Sequence, residues 1–218
     1  LYADKELIFK IVSDKYSYNE TRYINSLIDY SYYIKNKERY IRTEIDEFNK
    51  LKLYEKNDGV VTVNEGDTLK MSFVVCDYNK NKSTLNFTIV GSEPSDFQIA
   101  EPLPRSYYRV YNGESSEIYL DGFESSIPEF AFYRDVALKA MQIDTIQNIA
   151  SYFAYRLGTE EIPLHKRINI RIKPREEYKN DSLLYIATVG NKGQLSFLGN
   201  TKAGDFIEAK TNGLGTYF

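Results

Sequence analysis

The chain carries one histidine, His165, and one cysteine, Cys76. These two residues limit most of the chemistry open to it. A zinc site needs three or four His, Cys, Asp or Glu ligands in tight geometry. A Cys–His catalytic pair would have to join Cys76 to His165, and a Ser-His-Asp triad would have to use His165. His165 follows Pro163 and Leu164 and precedes an apolar stretch, so it reads as a strand-entry residue whose ring bonds locally. Cys76 closes an alternating segment, on the face opposite Phe73 and Val75. That parity would turn it to solvent or to the insertion, but a small buried residue, the commonest fate of a free cysteine, is the leading reading.

The carboxylates give no better constellation. Asp67, Asp77 and Asp205 stand at turns. A calcium ion takes roughly six to eight oxygen ligands, and an Asp-rich ligand loop is missing from the sequence, so turn formation is the expected role. The pairs Glu160-Glu161 and Glu176-Glu177 are adjacent residues. On a strand such neighbours point to opposite faces, so neither pair is preset for acid–base work. They read as solvated loop charges. No catalytic, metal-binding or cofactor-binding residue is therefore assigned, and binding or structural roles gain weight.

Composition sets the frame that must position any site. The 218 residues include 20 Tyr and 12 Phe but no Trp, and 42% of them are hydrophobic. Such a chain can build a real core, and tyrosine suits a pleated, half-buried surface. A formal net charge of −3, with basic clusters such as Lys35-Asn36-Lys37-Glu38-Arg39 interleaved with acids, argues against a nucleic-acid partner. No apolar run has the length of a transmembrane helix. The chain begins at Leu1 and ends at Thr216-Tyr217-Phe218 without a polar tail, so both ends read as cut ends.

The periodicity predicts an all-β protein of two consecutive β-sandwich domains. Residues 1–92 form the first, Ig-like and carrying a partly helical insertion near 16–50; residues 93–218 form the second, expected to be truncated at its C-terminus. In the first, Leu7–Val12 and Gly59–Val63 read as strands. Thr68–Cys76 and Thr84–Val90 alternate cleanly, with turns at Asn64–Asp67 and Asp77–Lys82. Within the insertion, Ile24, Leu27, Ile28 and Ile34 give helical spacing, predicting one short helix near 24–40. Gly91–Pro94, with Pro102 and Pro104 beyond it, reads as the linker. The second domain is predicted to hold strands at Tyr107–Tyr111, Glu117–Leu120, Phe123–Ile127, Val136–Ile143, Ser151–Leu157, Ile168–Ile172, Leu183–Val189, Leu195–Leu198 and Phe206–Lys210. A helical turn is expected at Glu129–Tyr133 and a hairpin turn at Asn191-Lys192-Gly193.

An ordered series of segments then resembles the non-catalytic β-rich region that follows the catalytic domain in M23-family metallopeptidases of Bacteroidetes. The series runs from Asn19–Asn25 and Ile28–Tyr30, through Asn49–Leu51, Tyr54 and Gly59, to Val75–Asp77 and Asn81–Ser83 ahead of Phe87 and Gly91. It continues with Asp121–Phe123, Ile127-Pro128, Ala131 and Tyr133. Ile162–Lys166 before Ile168–Ile170 is its most specific member, and Gly213–Tyr217 matches the closing strand. Lys80 stands where the turn of such Ig-like domains usually has Gly. The zinc centre of that family uses a His-x-x-x-Asp and a His-x-His segment, and neither occurs in this sequence.

The resemblance therefore implies no enzyme in this chain and no cofactor, with zinc only in an upstream catalytic domain. It implies a non-catalytic accessory or interaction module of an exported cell-wall metalloendopeptidase. That module would position the catalytic domain or dock onto envelope proteins or peptidoglycan. The location implied is the periplasm or the outer-membrane surface, with a lipid anchor through preceding sequence. A structural subunit of an outer-envelope complex, its peptidase domain inactive or absent, is the alternative. A carbohydrate-binding module is a third reading. It would need a row of exposed aromatics, for which Tyr107, Tyr108 and Tyr111 are nearest, though Tyr107 and Tyr108 point opposite ways on a strand. In the same group of bacteria, Asp-Ser/Thr-apolar tripeptides accept O-glycans, which would make Thr68, Thr145 and Ser182 the acceptors.

Overall fold

Alternating apolar and polar residues build most of this chain into antiparallel sheet. The computed structural model describes residues 1–12, 17–46, 48–49, 51, 54–55, 59–92, 104, 106–144, 146, 148–190 and 193–218. They divide into two compact units, one of Leu1–Asp29 with Glu38–Glu101 and one of Tyr30–Lys37 with Pro102–Phe218. The fold is all-β and built of sandwich-like layers.

In the first unit, β1 (Tyr2–Ala3) and β2 (Glu6–Leu7) join the long hairpin of β5 (Thr68–Cys76) and β6 (Lys82–Val90) in a sheet of order β2-β1-β5-β6. β3 (Phe9–Lys10) pairs separately with β4 (Tyr54–Glu55). The expected Leu7–Val12 strand is thus divided. Ile8 is buried beside Ala3 and Met71, and the chain changes sheets around it. Gly59–Val63 joins neither sheet, although Val61 packs on the Ala3, Ile8 and Met71 cluster. Gly59 sits at φ +75°, where a Cβ would fall 1.7 Å from the Thr43 carbonyl oxygen. That left-handed, close-packed start is incompatible with a ladder residue.

Among the described residues, two α-helices form where one was expected. α1 (Tyr18–Ser26) is opened by a capping box: Ser17 N–H donates to the Glu20 carboxylate at 2.8 Å, and Glu20 N–H donates to Ser17 Oγ at 3.3 Å. The Ser-x-x-Glu signal was present in the sequence. It starts the helix six residues before the apolar spacing does. α2 (Tyr30–Asn36) belongs to the second unit. Its Ser31 and Lys35, one helical turn apart, both reach Glu161, at 3.0 and 3.1 Å.

The second unit is a sandwich. One sheet has the order β14-β13-β17-β11-β10-β7, from β7 (Tyr107–Val110), β10 (Val136–Ile143), β11 (Ala154–Leu157), β13 (Ile186–Val189), β14 (Leu195–Gly199) and β17 (Gly215–Tyr217). The other has the order β15-β16-β12-β9-β8, from β8 (Ser116–Leu120), β9 (Phe123–Ile127), β12 (Ile168–Ile172), β15 (Thr201–Ala203) and β16 (Phe206–Thr211). Inner faces alternate strictly. Phe123 and Ile127 on β9 and Ile168, Ile170 and Ile172 on β12 are buried against Leu138, Tyr155, Leu157, Ile186 and Tyr217. Each fully buried side chain of this size contributes roughly 1.5–3 kcal/mol. Phe123 and Tyr155 stack at 5.0 Å. The Asp121-Gly122 turn joins β8 to β9, with Gly122 at φ +75° and Tyr155 Oη donating to the Asp121 carbonyl at 2.9 Å.

Glu129–Tyr133 makes turns rather than a helical turn, because Phe130 has φ +57°. The buried Asn112 holds this loop: its carbonyl accepts from Phe130 N–H and its Oδ1 from Phe132 N–H. At the β13–β14 hairpin, Gly190 N–H donates to the Gln194 carbonyl at 3.0 Å; Asn191 and Lys192 lie outside the described residues.

Candidate binding surface

The side chains singled out for chemistry do not converge. His165 enters β12 as expected, its Nδ1 3.2 Å from the Phe130 carbonyl and its ring against Tyr133. Cys76 is exposed, not buried. It is the last residue of β5, opposite Lys82 at the hairpin tip, where no second layer covers it among the described residues. Asp67 and Asp77 stand at opposite ends of the β5–β6 hairpin. Asp77 accepts from Asn81 N–H and Nδ2 at 2.8 and 2.7 Å, and these bonds hold its carboxyl below the usual range. Asp205 pairs with Lys179 at 2.9 Å, which lowers its pKa. Glu161 is occupied by Lys35 and Ser31, and its pKa is lowered by them. Glu176 and Glu177 pair with Lys179 and Arg175 at 3.8 and 3.5 Å. All serve turns or surface ion pairs. Among the described residues no group of three or more His, Cys, Asp or Glu could hold a metal ion.

Of the three glycan acceptors, Thr68 and Ser182 are exposed, on β5 and on the turn that Asp181 Oδ1 closes onto Leu183 N–H. Thr145 lies outside the described residues. Tyr107 and Tyr108 do point to opposite faces: Tyr107 is exposed, whereas Tyr108 packs on the core.

What the fold does assemble is an apolar cleft at one end of the second sandwich. Its volume is about 270 Å³, and Ile172, Pro174, Leu183, Tyr185, Ile186 and Phe197 are among its lining. Ile172 and Ile186 form its floor, one from each sheet. The loop before β11 forms one wall. A bridge between Ser151 and Pro174 holds that loop, as do Arg175 N–H on the Ala150 carbonyl at 2.8 Å and the Arg175 guanidinium on the Ile149 carbonyl. The Arg175 guanidinium also lies over the Tyr178 ring. At the rim, Leu183 is 78% and Phe197 72% exposed, and Tyr185 meets Phe197 edge-on at 6.2 Å.

Beside the cleft runs β14, the end strand of its sheet. It pairs with β13 on one side only among the described residues, and Leu195 and Phe197 present one apolar face. The arrangement offers dispersion contacts, apolar burial and an open row of backbone donors and acceptors. That is equipment for holding an extended chain. Alternation predicts β14 as a strand, at Leu195–Leu198, but carries no sign of an edge, because pairing order depends on residues far apart in the chain.

Residues 108–218, from β7 to the last residue, match the model of the Zu5-like domain, just over half of the chain. The chain belongs to the Zu5-like domain family. The matched span contains the cleft, β14 and both sheets of the sandwich. Zu5-like domains are not a known catalytic family. No curated protein matches this chain. Among the described residues no helix is long and apolar enough to cross a membrane.

Proposed function

We propose that this chain is a non-catalytic interaction module whose Zu5-like unit binds an extended segment of a partner protein along β14. The observation that carries this reading is the open edge of β14 lying against the apolar cleft. A strand added to such an edge gains main-chain hydrogen bonds, and every second side chain faces the same way. The exposed Leu183, Tyr185 and Phe197 would cover the apolar residues of that segment. An apolar rim of this kind on a surface strand is otherwise an aggregation liability, which a resident partner removes.

The finer reading places the module in an exported M23-type cell-wall metalloendopeptidase. There it would position the catalytic domain or dock onto envelope partners. The ordered segments of the sequence support it, and the family match adds no support. A scaffold subunit of an envelope complex uses the same binding edge.

Selection of displayed random heptapeptides on the purified chain tests the binding reading. The expected result is enrichment of peptides with apolar residues at alternate positions, and binding at least tenfold weaker to Phe197→Asp and Leu183→Asp. Both positions are exposed, so both variants should fold. Enrichment without alternation, or binding that ignores both substitutions, overturns it.

A further inference from the structure

The outer face of the five-stranded sheet carries a second cleft, polar and independent of β14. Cross-strand pairing lays its side chains in two rows. One row is Glu117, Ser126, Asn169 and Lys210; the other is Tyr119, Glu124, Arg171 and Glu208. Between them lies a hollow of about 260 Å³ lined by Glu117, Tyr119, Glu124, Ser126, Asn169 and Arg171.

The hydrogen bonds of this face are unevenly satisfied. Arg171 donates from Nε to Glu208 at 2.6 Å and from Nη1 to Glu124 at 3.4 Å. It is thereby held between two carboxylates. The Oδ1 of Asn169 is buried and accepts no hydrogen bond. Glu117 is exposed and has no partner among the described residues. Taking Lys210 into the count, three glutamates face two cations, so the face has a net charge of −1. The aromatic ring of Tyr119, 60% exposed, stands beside Glu124 on the neighbouring strand.

An acceptor surplus with an unmatched negative charge calls for a ligand that donates only. A sugar hydroxyl brings an acceptor with every donor, and Arg171, the charged donor that lines the cleft, already directs Nε and Nη1 to carboxylates. A guanidinium has five N–H donors in a planar fork and no acceptor. It pairs with carboxylates in bidentate fashion and stacks on aromatic rings. We propose that this cleft binds the guanidinium of an arginine side chain presented by a partner protein. The Glu117 carboxylate and Asn169 Oδ1 would accept its N–H groups, and the Tyr119 ring would flank its plane. The site adds a charged, orienting contact to the apolar one and does not depend on it.

Nuclear magnetic resonance titration of the intact chain tests this, with the peptide acetyl-Ser-Gly-Arg-Gly-Ser-amide and its lysine and citrulline versions as probes. The side-chain amide of Asn169 and Nε–H of Arg171 are the reporters. The arginine peptide should shift both saturably. The lysine peptide should bind at least fivefold more weakly, and citrulline, isosteric but uncharged, should give no saturable shift. Glu117→Gln should weaken arginine binding about tenfold. Tyr119→Ala, also at an exposed position, should weaken it several-fold, and neither change should alter peptide binding at β14. Equal binding of the three peptides overturns the proposal, as does indifference to Glu117→Gln in the folded variant. Saturation of the Asn169 reporter by maltotetraose but not by the arginine peptide would make the cleft a glycan site instead.

Discussion

The β5–β6 hairpin and the β9–β12 pair share one sequence pattern and meet opposite fates. Leu69, Met71, Phe73 and Val75 alternate on β5 as regularly as Phe123 and Ile127 on β9 or Ile168, Ile170 and Ile172 on β12. On β9 and β12 every apolar member is buried. On β5 only Met71 is, while Phe73 is 38% and Val75 66% exposed. Opposite them on β6, Leu85 and Phe87 are exposed as well. Alternation fixes which side chains share a face. Whether a second layer covers that face is decided by the rest of the chain, and among the described residues a complete opposing sheet is found in the second unit.

The largest effect that separates the two regions is the cost of truncation. Ile170→Ala removes a side chain enclosed by both sheets and should destabilise the second unit by about 2–5 kcal/mol. Phe73→Ala removes a larger but exposed side chain that stacks on Phe87 at 5.8 Å, and should cost about 1 kcal/mol or less. Denaturant unfolding of both variants provides the check. A Phe73 variant as damaged as the Ile170 one would mean that the hairpin face is covered in solution.

The same contrast explains what the sequence could reveal. The strands at Thr68–Cys76, Phe123–Ile127, Val136–Ile143 and Ile168–Ile172 lie where periodicity places them, because a pleated, half-buried strand writes its face into every second residue. β15, of three residues, and the two helices around Tyr23 and Tyr33 were harder. Tyrosine favours strands in isolation, but the Ser17–Glu20 capping box and the reach of Ser31 and Lys35 to Glu161 override it. The two proposed binding surfaces were not legible. β14 is an edge, and Glu117, Ser126 and Asn169 are neighbours, only because strands distant in sequence pair in one order. The open acceptor of Asn169 belongs to that order, not to any local motif.

A smaller effect distinguishes buried from exposed tyrosine. Burial, followed by the charge of Asp121, raises the Tyr155 hydroxyl from 10.0 to about 12, and burial also raises that of Tyr217. Below pH 10 these phenols are neutral in both folded and unfolded chains, and their contribution to stability is complete. Between pH 10 and about 12 the unfolded chain releases protons that the folded chain keeps, so stability falls as pH rises. Tyr155→Phe should lose about 1 kcal/mol at neutral pH with its bond to the Asp121 carbonyl, yet show a shallower decline across that window. Unfolding midpoints measured at a series of pH values decide it; an unchanged slope would mean that Tyr155 ionises as freely in the folded protein as in the unfolded one.

The smallest effect falls at the tip of the hairpin. Cysteine is among the most often buried residue types, and the bland expectation for Cys76 was a small buried side chain. Its position overrules its type. It closes β5 opposite Lys82, beyond the packed base where Leu69, Met71 and Ile89 meet Ala3 and Ile8. Cys76→Ser should therefore change stability by less than about 0.5 kcal/mol. A thiol reagent such as 5,5′-dithiobis(2-nitrobenzoate) should label one thiol per chain without denaturant, as fast in native buffer as in mild urea. Protection of the thiol until the chain unfolds would put a covering element over the hairpin tip. The contrast between the two regions would then narrow to the rim of the sandwich, where Leu183 and Phe197 remain exposed apolar side chains.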